Sequence, residues 1–447
     1  MLLCVASGEI AVDTTAGSFI VSATIGMHNP EFQVVAQGRR QHRAAAKRGR
    51  GAEGPGAAAG GRLEPGAGWD IVYICDWLPP DFGAIGQYSE LFCRDFAAKG
   101  QRVALIGLSS NPARRVSEEA VAPGLLRKVT LATSRYDKTA MRQRIAWTAR
   151  TNTRLLLAAW PYMRRARKIV FTGSPPLFLH WIAPANLLLK RRLVYRIADF
   201  HPECAMAERA QPSLFLDALY RLTVFWRRRV QAFEVLGADQ ARRLIAIGIA
   251  PDRIELKPNP SPVTIGPDTA PLQRPAAARD KMLLLYSGNW GVAHDVDTFV
   301  QSYRAHYRAG NGRVLLWLNA TGIGARRVEQ ALTELGLPFI RGAPVPLEQL
   351  ASLLVTPDAH LITLSDAFVG YVLPSKVHGC VESGRPVLFF GSERSDVHTI
   401  CNDGALPAYW RVGIGDIEAG RQALDALGDG VGRQAVRPQL RSAGGAA

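Results

Sequence analysis

The sequence has few cysteines and no cysteine motif. Six of its 447 residues are cysteines, and no two of them have the CxxC spacing that marks zinc or redox sites. Scattered thiols predict neither a zinc site nor a disulfide framework, and they suit a reducing cytoplasm. The six are Cys4, Cys75, Cys93, Cys204, Cys380 and Cys401.

Long apolar segments are also missing. No run of 18 apolar residues is free of charge and proline, so we predict no transmembrane helix. The chain starts without a basic segment, and Glu9 and Asp13 interrupt its first apolar residues, which is not the pattern of a signal peptide. We therefore expect a cytoplasmic protein, and peripheral attachment to the inner face of the plasma membrane stays open.

Acidic residues are too few to balance the basic ones. The chain has 38 Asp and Glu against 54 Lys and Arg, which gives a formal net charge of +16. Residues 1–68 hold seven basic and five acidic residues, so they account for only +2 and the remaining chain for +14. The excess favours anionic partners such as nucleotide phosphates, lipid diphosphates or an anionic membrane surface. A generally solvated basic surface is the alternative.

Residues 1–68 differ from the rest in composition. The part from Gly38 to Gly68 is rich in Ala, Gly and Arg and offers little apolar surface to bury. We expect this segment to be disordered or to be an over-extended translation start. A basic arm that binds nucleic acid is the alternative, but the acidic residues and the scarcity of aromatics argue against it. We expect no nucleic-acid partner.

A β-loop-α-β pattern begins at Trp69. Residues 70–75 and 102–108 have the apolar composition of buried strands, and the apolar spacing of residues 87–99 predicts a helix between them. Gly86 lies in the intervening loop, where it would let the backbone approach a ligand at the carboxyl end of the first strand. Open α/β sheets bind their ligands at this edge.

Strands and helices then alternate twice along the chain. This α/β pattern predicts two Rossmann-like domains with parallel sheets, at residues 69–259 and 282–430. The proline- and alanine-rich residues 260–281 are expected to form the linker, and residues 431–447 a flexible tail. In the second domain, glycine loops are predicted directly after the first two strands, at 287–291 and 319–324.

The most informative stretch runs from Val369 to Gly391. It predicts a loop that ends in Ser375 and Lys376, then a short helix at 377–382 and a buried strand at 387–390. A loop that runs into a helix start is a natural anion site, because free backbone N–H groups and the positive end of the helix dipole point at the ligand. The alternative is a helix–loop–strand joint of any α/β protein.

This stretch resembles the donor-site segment of bacterial glycosyltransferase family 4 enzymes. Residues 374–387 have the form PSK-x-x-G-x-x-x-x-G-R-P-V, which is typical of the branch that builds exopolysaccharide and O-antigen. Two further segments resemble the same branch, the Ser174-Pro175-Pro176 loop and the junction from Asp199 to Glu203. The proline- and glycine-rich loop at 76–86 resembles the opening of family 4 enzymes, whose first loop faces the cleft.

The resemblance spans residues 69–430 and implies the GT-B fold, in which two Rossmann-like domains face a central cleft. It implies a retaining enzyme that moves a sugar from a nucleotide sugar to a glycan or lipid-linked acceptor in cell-surface polysaccharide biosynthesis. Cations and helix N-termini would stabilise the diphosphate leaving group, so we expect neither a metal nor another cofactor.

The resemblance also suggests site residues. Asp199 and His201 could orient or deprotonate an acceptor hydroxyl group, although a loop-capping Asp199 and an ordinary loop His201 fit the sequence equally well. The expected donor-binding residues are Gly86, Ser287, Gly288, Asn289, Gly291, His294, Ser375, Lys376 and Glu382.

One family feature is missing. Family 4 enzymes usually carry two glutamates near the donor sugar, and the corresponding positions here are Tyr371 and Gly379. Glu382 could substitute only weakly, since a solvent-facing helix residue is the simpler interpretation. A degenerate GT-B protein that binds nucleotide or glycan without turnover is therefore an alternative, and a nucleotide-sugar epimerase is another.

Two further motifs allow competing interpretations. Asp295-Val296-Asp297 has the DxD form of metal-dependent transferases, but its position before a helix favours an N-cap. Residues 212–233 predict a long helix with Phe215, Leu219, Leu222 and Trp226 on one side. For this helix alone a core-facing stripe is favoured slightly, whereas basic clusters at 164–168, 190–192 and 227–229 favour membrane-surface contact for this half of the chain.

Overall fold

A computed structural model describes residues 68–430 except 80, 82–83, 134–140, 210, 212 and 262. The expectations for residues 1–67 and for the tail at 431–447 lie outside the described residues. The described chain folds around two β-sheets, one in each expected domain. The α/β class with two sheets of parallel strands is confirmed.

The first sheet has eight strands in the order β3-β4-β2-β1-β5-β6-β7-β8, and every neighbouring pair is parallel except β3–β4. Its strands are β1 (Trp69–Trp77), β2 (Arg102–Ser109), β3 (Arg115–Val121), β4 (Gly124–Ala132), β5 (Ala166–Thr172), β6 (Arg192–Ile197), β7 (Ala232–Val235) and β8 (Ile254–Leu256).

The second sheet has six strands, all parallel, in the order β11-β10-β9-β12-β13-β14. They are β9 (Met282–Asn289), β10 (Val314–Thr321), β11 (Phe339–Arg341), β12 (Ala359–Thr363), β13 (Val387–Phe390) and β14 (Tyr409–Val412).

Helices connect the parallel strands. Those of the first domain are α1 (Ala84–Ala98), α2 (Met141–Met163), α3 (Leu179–Leu189), α4 (Glu203–Ala207), α5 (Leu214–Arg227) and α6 (Ala238–Ala246). Those of the second are α7 (Asp297–Ala309), α8 (Ile323–Glu334), α9 (Leu347–Val355), α10 (Lys376–Glu382), α11 (Asp396–Asp403) and α12 (Ile417–Gly428).

Both faces of the first sheet are covered. Ile71 and Tyr73 pack with Cys93 of α1 on one face, whereas Val72 packs with Leu155 of α2 on the other. Burial on both faces explains why the strand is a continuous apolar run rather than an alternating one. None of the described helices is long and apolar enough to cross a membrane.

Several predicted boundaries are wrong. The predicted glycine loops at 287–291 and 319–324 begin inside β9 and β10, because these strands pair in register as far as Asn289 and Thr321. Pro161 lies inside α2, which continues to Met163, since one missing donor in the last turn removes little. The β3–β4 hairpin was not predicted.

The carboxyl end of β1 contains a β-bulge. Ile74 pairs with Ile106 and Trp77 with Leu108, so β1 uses one residue more than β2 over this interval. Two glycines make room for the displaced backbone. A Cβ atom at Gly107 would lie 2.6 Å from the carbonyl oxygen of Asp76, and one at Gly86 would overlap the carbonyl oxygen of Trp77.

The domains meet through two helix starts. Asp396, at the start of α11, accepts a hydrogen bond from the Asp239 N–H in α6, and Asp239 accepts one from the Asp396 N–H, both 3.1 Å long. Each carboxylate thus caps a helix of the other domain. Burial, followed by repulsion from Asp396, raises the pKa of Asp239 to about 6.

We predict that Gly86→Ala destabilises the protein by several kcal/mol, because the new methyl group would have to displace the backbone at Trp77. Gly266→Ala is the matched control, since Gly266 is exposed with nothing within 4 Å of a Cβ atom. Urea denaturation of both variants measures the difference. Equal midpoints would contradict the close approach at Gly86.

Candidate active site

The segments that follow β6 and β12 touch each other. The N–H of Phe200 donates to the carbonyl oxygen of Tyr371 over 3.1 Å, and the two rings lie 6.1 Å apart. Arg243 of α6 reinforces the contact with two hydrogen bonds to the carbonyl oxygen of Val369. Two segments that the sequence singled out, 199–203 and 369–376, are therefore brought together at the carboxyl edges of both sheets.

Asp199 lies two residues beyond β6 and is half-buried. Its side chain makes no hydrogen bond with the described residues, so the loop-capping interpretation has no support there. Burial raises the pKa of this carboxyl group to about 7. Asp199 can therefore be protonated or ionised near neutral pH, which suits a group that exchanges hydrogen bonds with a hydroxyl group.

His201 is more deeply placed, with 8% of its surface exposed. Burial and then the nearby Arg227 lower its pKa to about 4, against an opposing effect of Glu203. The imidazole is neutral at physiological pH, and its Nδ1 atom has no partner among the described residues. A role for His201 in deprotonation stays a prediction, and the low pKa makes the neutral ring a weak base.

Arg227 holds the loop that carries both residues. Its fully buried guanidinium group pairs with the Glu203 carboxylate and donates to the carbonyl oxygen of His201 over 3.0 Å. The same group lies 4.9 Å from the centre of the Phe200 ring. Arg227 was expected in an exposed basic cluster at 227–229. That part of the prediction is wrong, because a buried glutamate demands a buried cation.

The second-domain half of the site is built around Lys376, the first residue of α10. Its Nζ atom lies 3.3 Å from the centre of the Tyr286 ring and is buried without a hydrogen-bond partner among the described residues. Trp290 stacks on Tyr286 at 3.8 Å. Burial lowers the pKa of Lys376 to about 7. A buried ammonium group without a counter-ion is a site prepared for an anion.

His294 lies beside this cation. Its Nδ1 atom contacts the carbonyl oxygen of Thr363 at the end of β12, and its ring meets Tyr286 edge to face at 6.2 Å. Burial and the charge of Lys376 lower the pKa of His294 to about 3, so it is neutral. The carbonyl contact requires a proton on Nδ1, which leaves Nε2 as an acceptor.

The predicted donor glycines occupy the end of β9 and the turn after it. Gly288 has a positive φ of 96° and nothing within 4 Å of where a Cβ atom would lie. It is exposed, so a ligand can approach its backbone closely. Ser287 is buried, Asn289 is half-buried, and the Asn289 side chain reaches toward Gly291.

Three predicted donor-binding residues have surroundings that the sequence analysis did not expect. Gly86 is buried against Trp77, as described above, so packing alone requires a glycine there. Ser375 is exposed and its side chain does not cap α10. Glu382, at the far end of α10, accepts a hydrogen bond from the N–H of Ile265 in the linker and faces a separate cavity of about 340 Å³. It is not brought to Lys376.

The DxD segment is structural. Asp295 accepts hydrogen bonds from the Thr298 hydroxyl group and the Phe299 N–H, which caps the start of α7, and Asp297 is an exposed partner of Arg327. The cap interpretation is therefore confirmed. Within the described ranges, no cluster of three or more His, Cys, Asp or Glu side chains could hold a metal ion.

The two positions of the missing glutamates have other roles. Tyr371 bridges the domains by packing against Phe200, and the Arg243 guanidinium group lies 4.4 Å from the centre of its ring. Gly379 is buried in α10, where a Cβ atom would come 3.0 Å from Leu354. A side chain at position 379 would therefore require Leu354 to shift.

Sequence reasoning missed Asp76. This residue lies in the β-bulge of β1, and burial raises the pKa of its carboxyl group to about 7. Asp76 directly follows the apolar run 70–75, and residues at the carboxyl ends of parallel strands line the ligand-binding edge of the sheet. This position could have identified Asp76 as a candidate site residue.

Comparison with known proteins gives the fold. No protein-family model matches the chain, and no curated protein matches it. Solved structures do. An α,α-trehalose-phosphate synthase (UDP-forming) from Burkholderia vietnamiensis aligns with a TM-score of 0.54 and 12% identity over 83% of this chain and 96% of its own. The chain has the GT-B fold.

Two further structures support the same assignment. A sucrose-phosphate synthase from Thermosynechococcus elongatus has a TM-score of 0.53 and 13% identity, covering 82% of this chain and 93% of its own. The catalytic domain of starch synthase IV from Arabidopsis thaliana, bound to ADP and acarbose, has a TM-score of 0.51 and 11% identity, covering 84% and 93%. At such identities the likeness establishes the fold alone.

We predict that Lys376→Met weakens binding of a nucleoside diphosphate about 10- to 100-fold, because it removes the buried cation. The free amine is charged only below a pKa of about 7. An anion binds the charged form, so affinity should fall as pH rises from 7 to 8.5 and binding should take up a proton. Isothermal titration calorimetry with UDP, in buffers of different ionisation enthalpy, measures both effects.

The stability of the same variant is an internal control. Below pH 7 the lysine is charged in both the folded and the unfolded state, so burying the charge lowers the stability of the wild type by its full amount. As pH rises from 7 toward the ordinary pKa of lysine, the buried amine becomes neutral and this loss of stability shrinks. Lys376→Met should therefore unfold at higher temperature than the wild type at pH 6, with a smaller gain at pH 9.5. A variant with unchanged UDP affinity and no proton effect would rule out this anion site.

Proposed function

We propose that the protein is a glycosyltransferase that moves a sugar from a nucleotide sugar to a glycan or lipid-linked acceptor. The observation that carries the proposal is Lys376, which begins helix α10 five residues after the interdomain contact at Tyr371. Its buried ammonium group has neither a hydrogen-bond partner nor a counter-ion among the described residues. The diphosphate of a nucleotide sugar would supply that counter-ion. Stabilising the departing diphosphate is the main electrostatic task in such a transfer.

The two halves of the site suit the two substrates. In the second domain, the open backbone at Gly288 and the neutral imidazole of His294 lie near the cation, where they can contact the donor. In the first domain, Asp199 offers a carboxyl group to an acceptor hydroxyl group. A starch synthase with this fold is bound to ADP and acarbose, so a protein of this fold can bind a nucleotide.

Retention of anomeric configuration, independence of metal and a role in bacterial cell-surface polysaccharide biosynthesis are parts of this proposal that rest on the family 4 resemblance. Lys376 would take the place of a divalent cation at the diphosphate. Transfer activity is therefore expected to survive EDTA.

The decisive experiment is a turnover assay on the full chain. A panel of nucleoside diphosphates and nucleotide sugars is screened first by thermal shift, and each stabilising nucleotide sugar is then tested for hydrolysis and for transfer to oligosaccharide acceptors, with and without EDTA. We expect one nucleotide sugar to stabilise the protein and to be consumed equally fast in EDTA. Failure of every nucleotide to bind would refute the proposal, and loss of activity in EDTA would refute metal independence.

A second candidate function is nucleotide or glycan binding without turnover. It is favoured by Tyr371 and Gly379, which occupy the positions where family 4 enzymes usually carry glutamates. In the same assay, tight UDP binding without hydrolysis or transfer by any nucleotide sugar would support this alternative.

We also propose that helices α3 and α5 attach the protein to an anionic membrane surface. The side chains of Leu188, Leu214 and Phe215 are 79%, 91% and 68% exposed. Of the stripe predicted on α5, Phe215 and Leu222 are exposed whereas Trp226 packs against the core, so the favoured core-facing interpretation is only partly right. The core face is formed instead by Leu216, Thr223 and Arg227. His180 of α3 contacts Thr223 over 3.1 Å, so both helices share one surface.

Cations surround this apolar surface. Lys190 and Arg192 follow α3, and Arg228 and Arg229 follow α5, all exposed. The Arg229 guanidinium group lies 3.4 Å from the centre of the exposed Phe225 ring. Exposed apolar side chains with flanking cations are the composition of an interfacial membrane contact. Such a contact would bring a lipid-linked acceptor to the cleft from the inner face of the plasma membrane.

Vesicle co-sedimentation tests this attachment. Wild-type protein should pellet with vesicles that contain 30% phosphatidylglycerol and remain in solution with pure phosphatidylcholine, because the exposed cations need anionic lipid. Leu188→Ser with Phe215→Ser should lose most of the binding. Val116→Ser is the control, since Val116 is 54% exposed on strand β3, away from these helices. Equal binding by all three proteins would contradict the assigned surface.

A further inference from the structure

We propose that the carboxyl group of Asp76 binds the hydroxyl group of the acceptor, and that the acceptor is uncharged at the reacting end. The inference deepens the proposed transferase function and rests on it. It assigns the acceptor position to the edge formed by β1, β5 and β6 in the first domain.

The backbone of β1 is specifically shaped around Asp76. The bulge between Ile74 and Trp77 interrupts the regular register with β2, and bulges of this kind re-aim a side chain at the edge of a sheet. Because Gly107 and Gly86 have no side chains, the bulged backbone of β1 fits between them. The bulge is therefore packed closely against two glycines, Gly107 at the Asp76 carbonyl group and Gly86 at the Trp77 carbonyl group.

The Asp76 carboxyl group is incompletely satisfied. Its Oδ1 atom is buried and has no hydrogen-bond partner among the described residues. Hydrogen bonds from the Asp76 and Trp77 backbone and from the Ser174 side chain stabilise the ionised form. Burial outweighs these bonds and raises the pKa of the group. A buried acceptor atom without a partner lowers stability, which is the usual sign of a group kept for a ligand.

The neighbouring strand ends place a second carboxyl group nearby. Strand β5 lies between β1 and β6, so Asp76 and Asp199 follow strands that are about 10 Å apart, at two strand spacings. Between them lies the 173–176 loop, since Ser174 bonds Asp76 and a Cβ atom at Gly173 would come 3.4 Å from the Asp199 carbonyl oxygen. A sugar ring can span this separation with two hydroxyl groups.

The charge of this edge decides the acceptor class. Lys128, the cation that reaches the loop after β1, donates to the Pro79 carbonyl oxygen and is paired with Glu90 over 2.8 Å. Its charge is therefore already balanced. In the part of the chain that the structure describes, no unpaired cation is recorded between the two carboxyl groups. They can accept hydrogen bonds from hydroxyl groups, and in their ionised form they repel a phosphate or carboxylate.

Asp70 provides a matched comparison on the same strand. It lies at the opposite end of β1, where it accepts a hydrogen bond from the Arg102 N–H and pairs with Arg167. Both carboxylate oxygens of Asp70 therefore have a partner, whereas Oδ1 of Asp76 has none among the described residues. We expect Asp→Asn to lower Tm at position 70 and to leave Tm equal or higher at position 76.

The experiment compares the full-length wild type with Asp76→Asn and Asp70→Asn, using the nucleotide sugar found in the turnover assay. For Asp76→Asn we expect kcat/KM for a neutral oligosaccharide acceptor to fall at least 30-fold, the Kd for UDP to stay within twofold, and Tm to stay equal or rise. For Asp70→Asn we expect unchanged kinetics and a lower Tm. Lower kcat/KM with unchanged UDP affinity and Tm would indicate a lost acceptor contact, whereas lower Tm would indicate a destabilised fold.

Three outcomes would overturn the inference. Unchanged acceptor kinetics in Asp76→Asn would remove the proposed contact, and an equal loss of UDP affinity would make Asp76 a general structural residue. Transfer to a phosphorylated acceptor as fast as to its neutral form would refute the acceptor class. If the wild type turns over no nucleotide sugar, the proposed function itself fails and this inference falls with it, a result visible before any variant is made.

Discussion

Direct contact between two loops of different domains is the constraint on which the candidate site depends. The Phe200–Tyr371 hydrogen bond and the Arg243 bonds to Val369 tie the segment after β6 to the segment after β12. The first of these segments carries Asp199, and the second leads within five residues to Lys376. The Phe200–Tyr371 bond joins two backbone atoms, and the Arg243 side chain adds two bonds to a backbone carbonyl group, so the two segments are held together at the level of the main chain.

The same physical effect acts on both sides of the site with opposite chemical results. Burial disfavours charge, so it raises the pKa of Asp76 and Asp199 toward neutrality and lowers that of Lys376 to a similar value. All three groups can then change protonation state within a narrow pH range when a substrate replaces water. The acidic groups lie in the first domain and the cation in the second, which matches a hydroxyl-bearing acceptor and an anionic donor.

Much of the fold could be read from the sequence because buried parallel strands are continuous apolar runs, as at 70–75 and 387–390. The β3–β4 hairpin escaped because β3 is almost entirely exposed and polar, so it carries no apolar pattern. Lys376 was found from a local motif. Asp76 was missed because a bulge depends on pairing with β2, and Arg227 was misplaced because its partner Glu203 lies 24 residues away. Pairings of this kind are not encoded in local spacing.

The mutual capping of α6 and α11 has a mechanical consequence. Both helices present their positive ends to the same point, and each is neutralised by a carboxylate that belongs to the other domain. Pulling the domains straight apart at this point would leave two buried helix starts and two carboxylates without partners at once. The two caps are therefore lost together or not at all, so the contact between α6 and α11 holds the domains cooperatively.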